Sequence, residues 1–136
     1  MERIVKTNVF SLDYEPVLSL LIERWYGNIT DENYKEGMLL LVEKILFFQP
    51  IRRIMVYPNL NFLISPDLQK WMIDNVFEPT NVNKVEKIAF FIPDNLLEKV
   101  MIEFLAVMRI MEDTRKDAYQ LKYFDDEDEA YRWLLE

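Results

Sequence analysis

The stretch Arg53-Ile54-Met55-Val56-Tyr57 is a short apolar run, with Pro50 before it and Pro58 immediately after. Four consecutive apolar residues without polar alternation suit a strand that is covered on both faces of a sheet. Proline has no amide hydrogen to give to a ladder, so the two prolines limit how far that strand extends. The segments on either side decide what kind of sheet it joins. Upstream, Thr30 is a good helix N-cap, with Asp31 and Glu32 in the first turn where they favour the helix dipole. The helix it opens is expected to run to about Phe48, because Tyr34, Met38, Leu41, Val42, Ile45 and Phe48 fall on one face at spacings of three and four. Downstream, Ser65-Pro66-Asp67 opens a second helix, with a capping serine, a proline in the first position and an acid behind it. Leu68, Trp71, Met72 and Val76 line its buried face, and Pro79 is expected to end it. Lys87-Ile88-Ala89-Phe90-Phe91-Ile92 then repeats the central-strand pattern. Strands alternating with helices imply right-handed crossovers and a parallel arrangement.

The two ends complete the sheet. Val9 to Tyr14 is rich in β-branched and aromatic residues, Glu15-Pro16 supplies a turn, and Val17 to Tyr26 reads as one long strand. In that strand Leu18, Leu20 and Ile22 face one way, while Ser19, Glu23 and Trp25 face the other. Together these segments predict an antiparallel hairpin. Pro93-Asp94 begins a helix to about Asp113, and Gln120 to Phe124 is the last strand. Asp126 opens a final helix, with Glu129 placed for a capping box and Ala130, Trp133 and Leu134 on the apolar face. The expectation is a single α/β domain over residues 1–136. Its sheet is mixed and five-stranded, with an N-terminal antiparallel hairpin and a largely parallel remainder, and it carries about four helices.

Composition removes several functions. The chain has no Cys and no His, which excludes disulfides, thiolate nucleophiles, histidine acid–base catalysis and Cys/His zinc sites. Gly27 and Gly37 are the only glycines, too few for a glycine-rich phosphate loop. The net charge of -8, with scattered lysines and one Arg52-Arg53 pair, speaks against binding nucleic acid or an anionic bilayer. The N-terminus lacks the apolar core of a signal peptide, and no run approaches the roughly 18 apolar residues of a spanning helix. A cytoplasmic protein without metal or cofactor is expected.

These residues carry a resemblance. Trp25-Tyr26-Gly27-Asn28-Ile29-Thr30 resembles the W-x-G-x-(I/L)-T opening of the first helix in small bacterial STAS-like proteins, with Tyr34 following. Ile64-Ser65-Pro66-Asp67 with Trp71 is similar to the start of their second helix, and Val85 to Ile92 to one of their strands. Phe124-Asp125, Glu129-Ala130 and Trp133-Leu134 resemble their closing F-D-x-x-x-E-A-x-x-W-L helix. Such proteins are similar in fold to anti-sigma-factor antagonists and to a CRAL-TRIO-like lipid-binding group. The resemblance implies a STAS-like fold and says little about activity. It also makes Ser65 the positional counterpart of the phosphorylatable residue of the antagonists. The Asp-Ser-(S/T)-Gly signature around that residue is missing here, and Tyr57 stands where an Asp is frequent.

Each candidate site has a plainer reading beside it. Ser65 reads first as a helix cap, and second as an acceptor whose phosphate would rest on the helix dipole. The run Asp125 to Glu129 reads as solvated helix-start charge, because no glycine turn arranges it around a cation. Pairs such as Glu32/Glu36 and Glu98/Glu103 read as surface charge, so no catalytic residue is assigned. Tyr14, Trp25, Tyr26, Tyr57 and Trp71 are candidates for an apolar pocket, or else parts of the core. On the helix from Asp94, Ile102, Ala106 and Ile110 fall outside the buried arc, and Leu40 and Phe47 do so on the first helix. This second stripe points to a homodimer or a protein partner. The expected function is a non-catalytic interaction or regulatory module that self-associates. The alternative is a binder of a small apolar or lipid-like ligand.

Overall fold

The computed structural model describes residues 1–48, 50–59, 61–62, 64–82, 85–93 and 120–136. The expected helix from Asp94 to Asp113 lies outside them, and with it Ile102, Ala106, Ile110 and the Glu98/Glu103 pair. In the described part, strands β1 (Glu2–Lys6), β2 (Phe10–Glu15) and β3 (Leu20–Trp25) precede helix α1 (Asp31–Phe47). Strand β4 (Arg53–Tyr57), helix α2 (Pro66–Met72), strands β5 (Lys87–Phe91) and β6 (Gln120–Phe124), and helix α3 (Glu127–Leu134) follow. The strands lie in chain order, β1-β2-β3-β4-β5-β6. Pairing is antiparallel from β1 to β3 and parallel from β3 to β6. No described helix is long and apolar enough to cross a membrane.

The sheet is thus mixed, as expected, but has six strands rather than five. The extra strand, Glu-Arg-Ile-Val-Lys, is mostly charged and shifts register between Arg3 and Val5. Charge and a bulge are common on an edge strand because they discourage pairing with another chain, and the same features hide it from a hydrophobic pattern. The long strand expected from Val17 is also corrected. Pro16–Leu18 form one 3₁₀ turn, and Ser19 is left-handed at φ 50. The Ser19 carbonyl then accepts from the amides of both Arg52 and Arg53, which ties this turn to the start of β4. From Leu20 onward the predicted alternation holds.

Alternation sorts the core into two layers. Phe10, Leu12, Leu21, Trp25, Ile54, Val56, Ile88 and Phe90 join the buried faces of α1 and α2. Leu20, Ile22, Met55 and Ala89 face the other way, against Ala130 and Leu134 of α3. Thr30 caps α1 with a reciprocal capping box to Asn33, and Asp126 Oδ1 accepts from the Glu129 amide at 3.1 Å to cap α3. Beyond α2 the chain continues as a π-turn, Ile73–Phe77, rather than as one helix to Pro79. There the Asn75 side-chain Nδ2 donates to the Trp71 carbonyl at 2.9 Å and the Thr80 hydroxyl to the Val76 carbonyl at 2.7 Å, satisfying acceptors that a wider turn leaves open.

Candidate functional site

The described part holds three features with chemical character. The first is a buried carboxylic acid. Glu23 lies in the middle of β3 on the α1 side and is 5% exposed. Trp25 Nε1 donates to its Oε2 at 2.8 Å. Around this pair the rings of Phe10, Trp25, Tyr34 and Phe62 pack in sequence, with centroids 4.4, 4.6 and 5.0 Å apart. Burial raises the Glu23 pKa to about 7, and the Trp25 hydrogen bond opposes only part of that rise. Tyr34 is pushed up as well, first by burial and then by the Glu23 charge. An acid was legible at this position, since Glu23 shares its strand face with Trp25. What the pattern did not reveal is that this face carries the main core.

The second feature is a polar network on the opposite face. Asp13 of β2 accepts from Arg3 Nε at 2.8 Å and from Arg24 Nη1 at 2.6 Å. The Arg3 hydrogen bond is the largest influence holding the Asp13 carboxyl below the usual range. The Arg24 guanidinium lies 5.0 Å from the Tyr57 ring centre, and Tyr57 and Tyr131 share a hydroxyl–hydroxyl hydrogen bond of 2.9 Å. Burial, above all, raises the pKa of both tyrosines. Sequence reasoning missed this network because its members come from β1, β2, β3, β4 and α3. Only the strand register brings them together.

The third feature is exposed apolar surface on α1. Leu39, Leu46 and Phe47 are 48%, 38% and 75% exposed. Leu40, expected to be part of that stripe, is instead half-buried against the core. Leu40 lies one turn on from Gly37, beside the Thr7–Val9 connection between β1 and β2. The pocket it lines there, with Thr7, Asn8, Val9, Asn33, Glu36 and Gly37, holds about 200 Å³.

The five aromatic residues grouped as a pocket are not brought around one space. Trp25 is in the main core, and Tyr14 packs on Phe48 at 4.7 Å. Trp71 is half-buried, with the Lys35 ammonium 5.5 Å from its ring. Tyr26 receives Lys6 Nζ at 2.7 Å, and Tyr57 is across the sheet from Trp25. Residues 125–129 are exposed, as are Glu32 and Glu36. Among the described residues, no three acidic, histidine or cysteine side chains converge on a metal position.

Ser65 caps α2, its Oγ accepting from the Leu68 amide at 3.2 Å. The Ser65→Ala variant is expected to lose about 1 kcal/mol in denaturant titrations, the usual cost of a lost cap. An unchanged midpoint would remove the capping role.

A mixed sheet with a parallel β3-to-β6 half, helices α1 and α2 on one face and α3 on the other, defines a STAS-like α/β domain. Within that class, residues 20–135 match the SpoIIAA-like family, and the chain belongs to it. The match opens at Leu20, the first residue of β3, so β1 and β2 precede it. No curated protein and no solved structure matches the chain significantly.

Proposed function

We propose that this chain is a non-catalytic, cytoplasmic regulatory module that works by protein–protein contact and self-associates through the outer side of α1. The supporting observation is the exposure of Leu39, Leu46 and Phe47. They are separated by seven and one residues, so they form one stripe along two turns of helix. Val17 and Leu135 are also exposed, at 88% and 42%, toward the end of the sheet where α1 finishes. Phe48 meets Tyr14 there, and Arg53 bonds the carbonyls of both Leu18 and Leu134. Apolar residues gathered at one pole are a common mark of an interaction surface. Membership of the SpoIIAA-like family agrees with a regulatory role. The second reading, a binder of an apolar ligand, has less support. Its aromatic residues sit on both faces of the sheet, and the pocket beside Leu40 is smaller than the roughly 300 Å³ at which ligand pockets begin.

Sedimentation velocity tests the proposal. The native chain is expected to sediment as a dimer, and the Leu46→Lys, Phe47→Lys double variant as a monomer with an unchanged far-ultraviolet spectrum. A double variant that remains dimeric would move the interface away from α1.

A further inference from the structure

The polar face of the sheet carries a row of hydrogen-bond donors that continues the Arg3–Asp13–Arg24 network across β1 and β2. Strand register pairs Lys6 with Ser11, Ser11 with Arg24, and Arg24 with Tyr57. These residues therefore lie side by side across β1, β2, β3 and β4, about 4.8 Å from strand to strand. At the centre of the row, Ser11 is 1% exposed and its Oγ is buried without a hydrogen-bond partner. Buried hydroxyls are normally paired, and an unpaired one costs roughly 1–3 kcal/mol, so this orphan requires an explanation. Its two neighbours in the row are long cations. Lys6 is exposed with its ammonium 2.7 Å from the Tyr26 hydroxyl, and the Arg24 side chain is 36% exposed and anchored on Asp13, so each keeps further donor hydrogens for an entering group.

Charge points to the kind of group. Asp13 lies two residues along β2 from Ser11 and is matched by Arg3 and Arg24. Three cations, Arg3, Lys6 and Arg24, thus lie on this part of the sheet, two of them paired with Asp13, in a chain whose net charge is -8. Glu127 of α3 is the acidic group on the far side of Tyr57 and acts on that hydroxyl. The Tyr57 ring beneath Arg24 and the Asp13 carboxylate beside it hold the guanidinium over the row. Guanidinium, ammonium and hydroxyl donors together suit the several acceptor oxygens of a dianion.

We propose that the row Lys6–Ser11–Arg24 binds the phosphate group of a small phosphorylated molecule, with the Ser11 hydroxyl donating to it and Lys6 and Arg24 closing over it. Arg3 and Asp13 are positioning residues that aim Arg24. Most of this row lies on β1 and β2, ahead of the segment that matches the family.

Thermal unfolding with inorganic phosphate as probe tests the site. Melting is compared in 10 mM sodium phosphate and in sodium chloride of equal ionic strength and pH, about ten times an expected dissociation constant near 1 mM. The native chain is expected to melt about 4 °C higher in phosphate. In chloride the Ser11→Ala variant should melt at the native temperature or above it, since it removes an unpaired buried hydroxyl. In phosphate it should lose most of the rise, and Lys6→Ala, a surface change, should lose most of it as well. A native chain that melts equally in both salts would overturn the proposal. So would a rise that persists undiminished in both variants, because that is the general salting effect of phosphate on burial.

Discussion

At pH 8 the Glu23→Gln variant is expected to be more stable than the native protein by about 3 kcal/mol. The gain follows from where the acid sits. In the unfolded chain Glu23 ionises near its ordinary value of 4.5, whereas in the core burial holds its proton to about 7. Below pH 4.5 both states carry the proton, and the group has no effect on stability. Between 4.5 and 7 the unfolded chain releases the proton first, so stability falls as pH rises. Above 7 the full cost is present, because the fold then contains an ionised carboxylate with one indole donor. Glutamine keeps an acceptor for Trp25 Nε1 and carries no charge. The absence of histidine and cysteine makes this readable, since no other side-chain type titrates normally between pH 5 and 8. Urea midpoints at pH 5, 6, 7 and 8 should decline for the native chain and stay level for the variant. A native midpoint that rises across this interval would contradict the placement of Glu23.

The second large effect is at Gly37, where alanine is expected to destabilise by about 2 kcal/mol. In an exposed helix interior the same change stabilises by up to about 1 kcal/mol, so the sign itself is diagnostic. A Cβ on Gly37 would stand 2.5 Å from Trp25 Cη2, 3.0 Å from Cζ3 and 3.3 Å from Phe10 Cγ. The Trp25 ring has little room to retreat. It packs between Phe10 and Tyr34, and its indole nitrogen is held by Glu23. Adding one methyl group therefore forces either α1 away from the sheet or the indole off its acid. Chemical denaturation monitored by tryptophan emission reports both. A Gly37→Ala variant at or above native stability would show that α1 does not lie this close to Trp25.

The two effects show what the sequence made legible. The periodicity of Tyr34, Met38, Leu41, Val42, Ile45 and Phe48 located α1 and its buried face; the structure buries the first five and leaves Phe48 half-buried at the C-cap. The apolar run at Ile54 to Tyr57, flanked by prolines, marked a central strand, and β4 lies between β3 and β5. Capping residues Thr30, Ser65 and Asp126 marked the helix starts because their hydrogen bonds are local. Features built from distant segments were not legible. β1 is a strand only because β2 supplies its partner, and its own pattern is charged. Ser19 is left-handed as the C-cap of the 3₁₀ turn, and its carbonyl accepts from the amides of Arg52 and Arg53, over thirty residues on. The Arg3–Asp13–Arg24 network exists only in the register of three strands. Likewise the aromatic residues grouped by type separate, since alternation places Trp25 and Tyr57 on opposite faces.

Leu40 and Leu39 show the limit at finer scale. Both are apolar and adjacent, yet Leu39 is 48% exposed while Leu40 packs on the core. A helical wheel alone does not choose between them, because the width of the buried arc depends on how deeply α1 sits against β2. Gly37 sets that depth. The account of function then rests on the residues left outside, Leu39, Leu46 and Phe47.

Native mass spectrometry of freshly purified protein tests that account most directly. It reads the assembly and any retained small molecule in one experiment. The account predicts a mass of twice the 16.5 kDa chain, with no lipid-sized adduct. A monomer carrying a lipid-sized molecule would contradict it and make this chain an apolar-ligand binder.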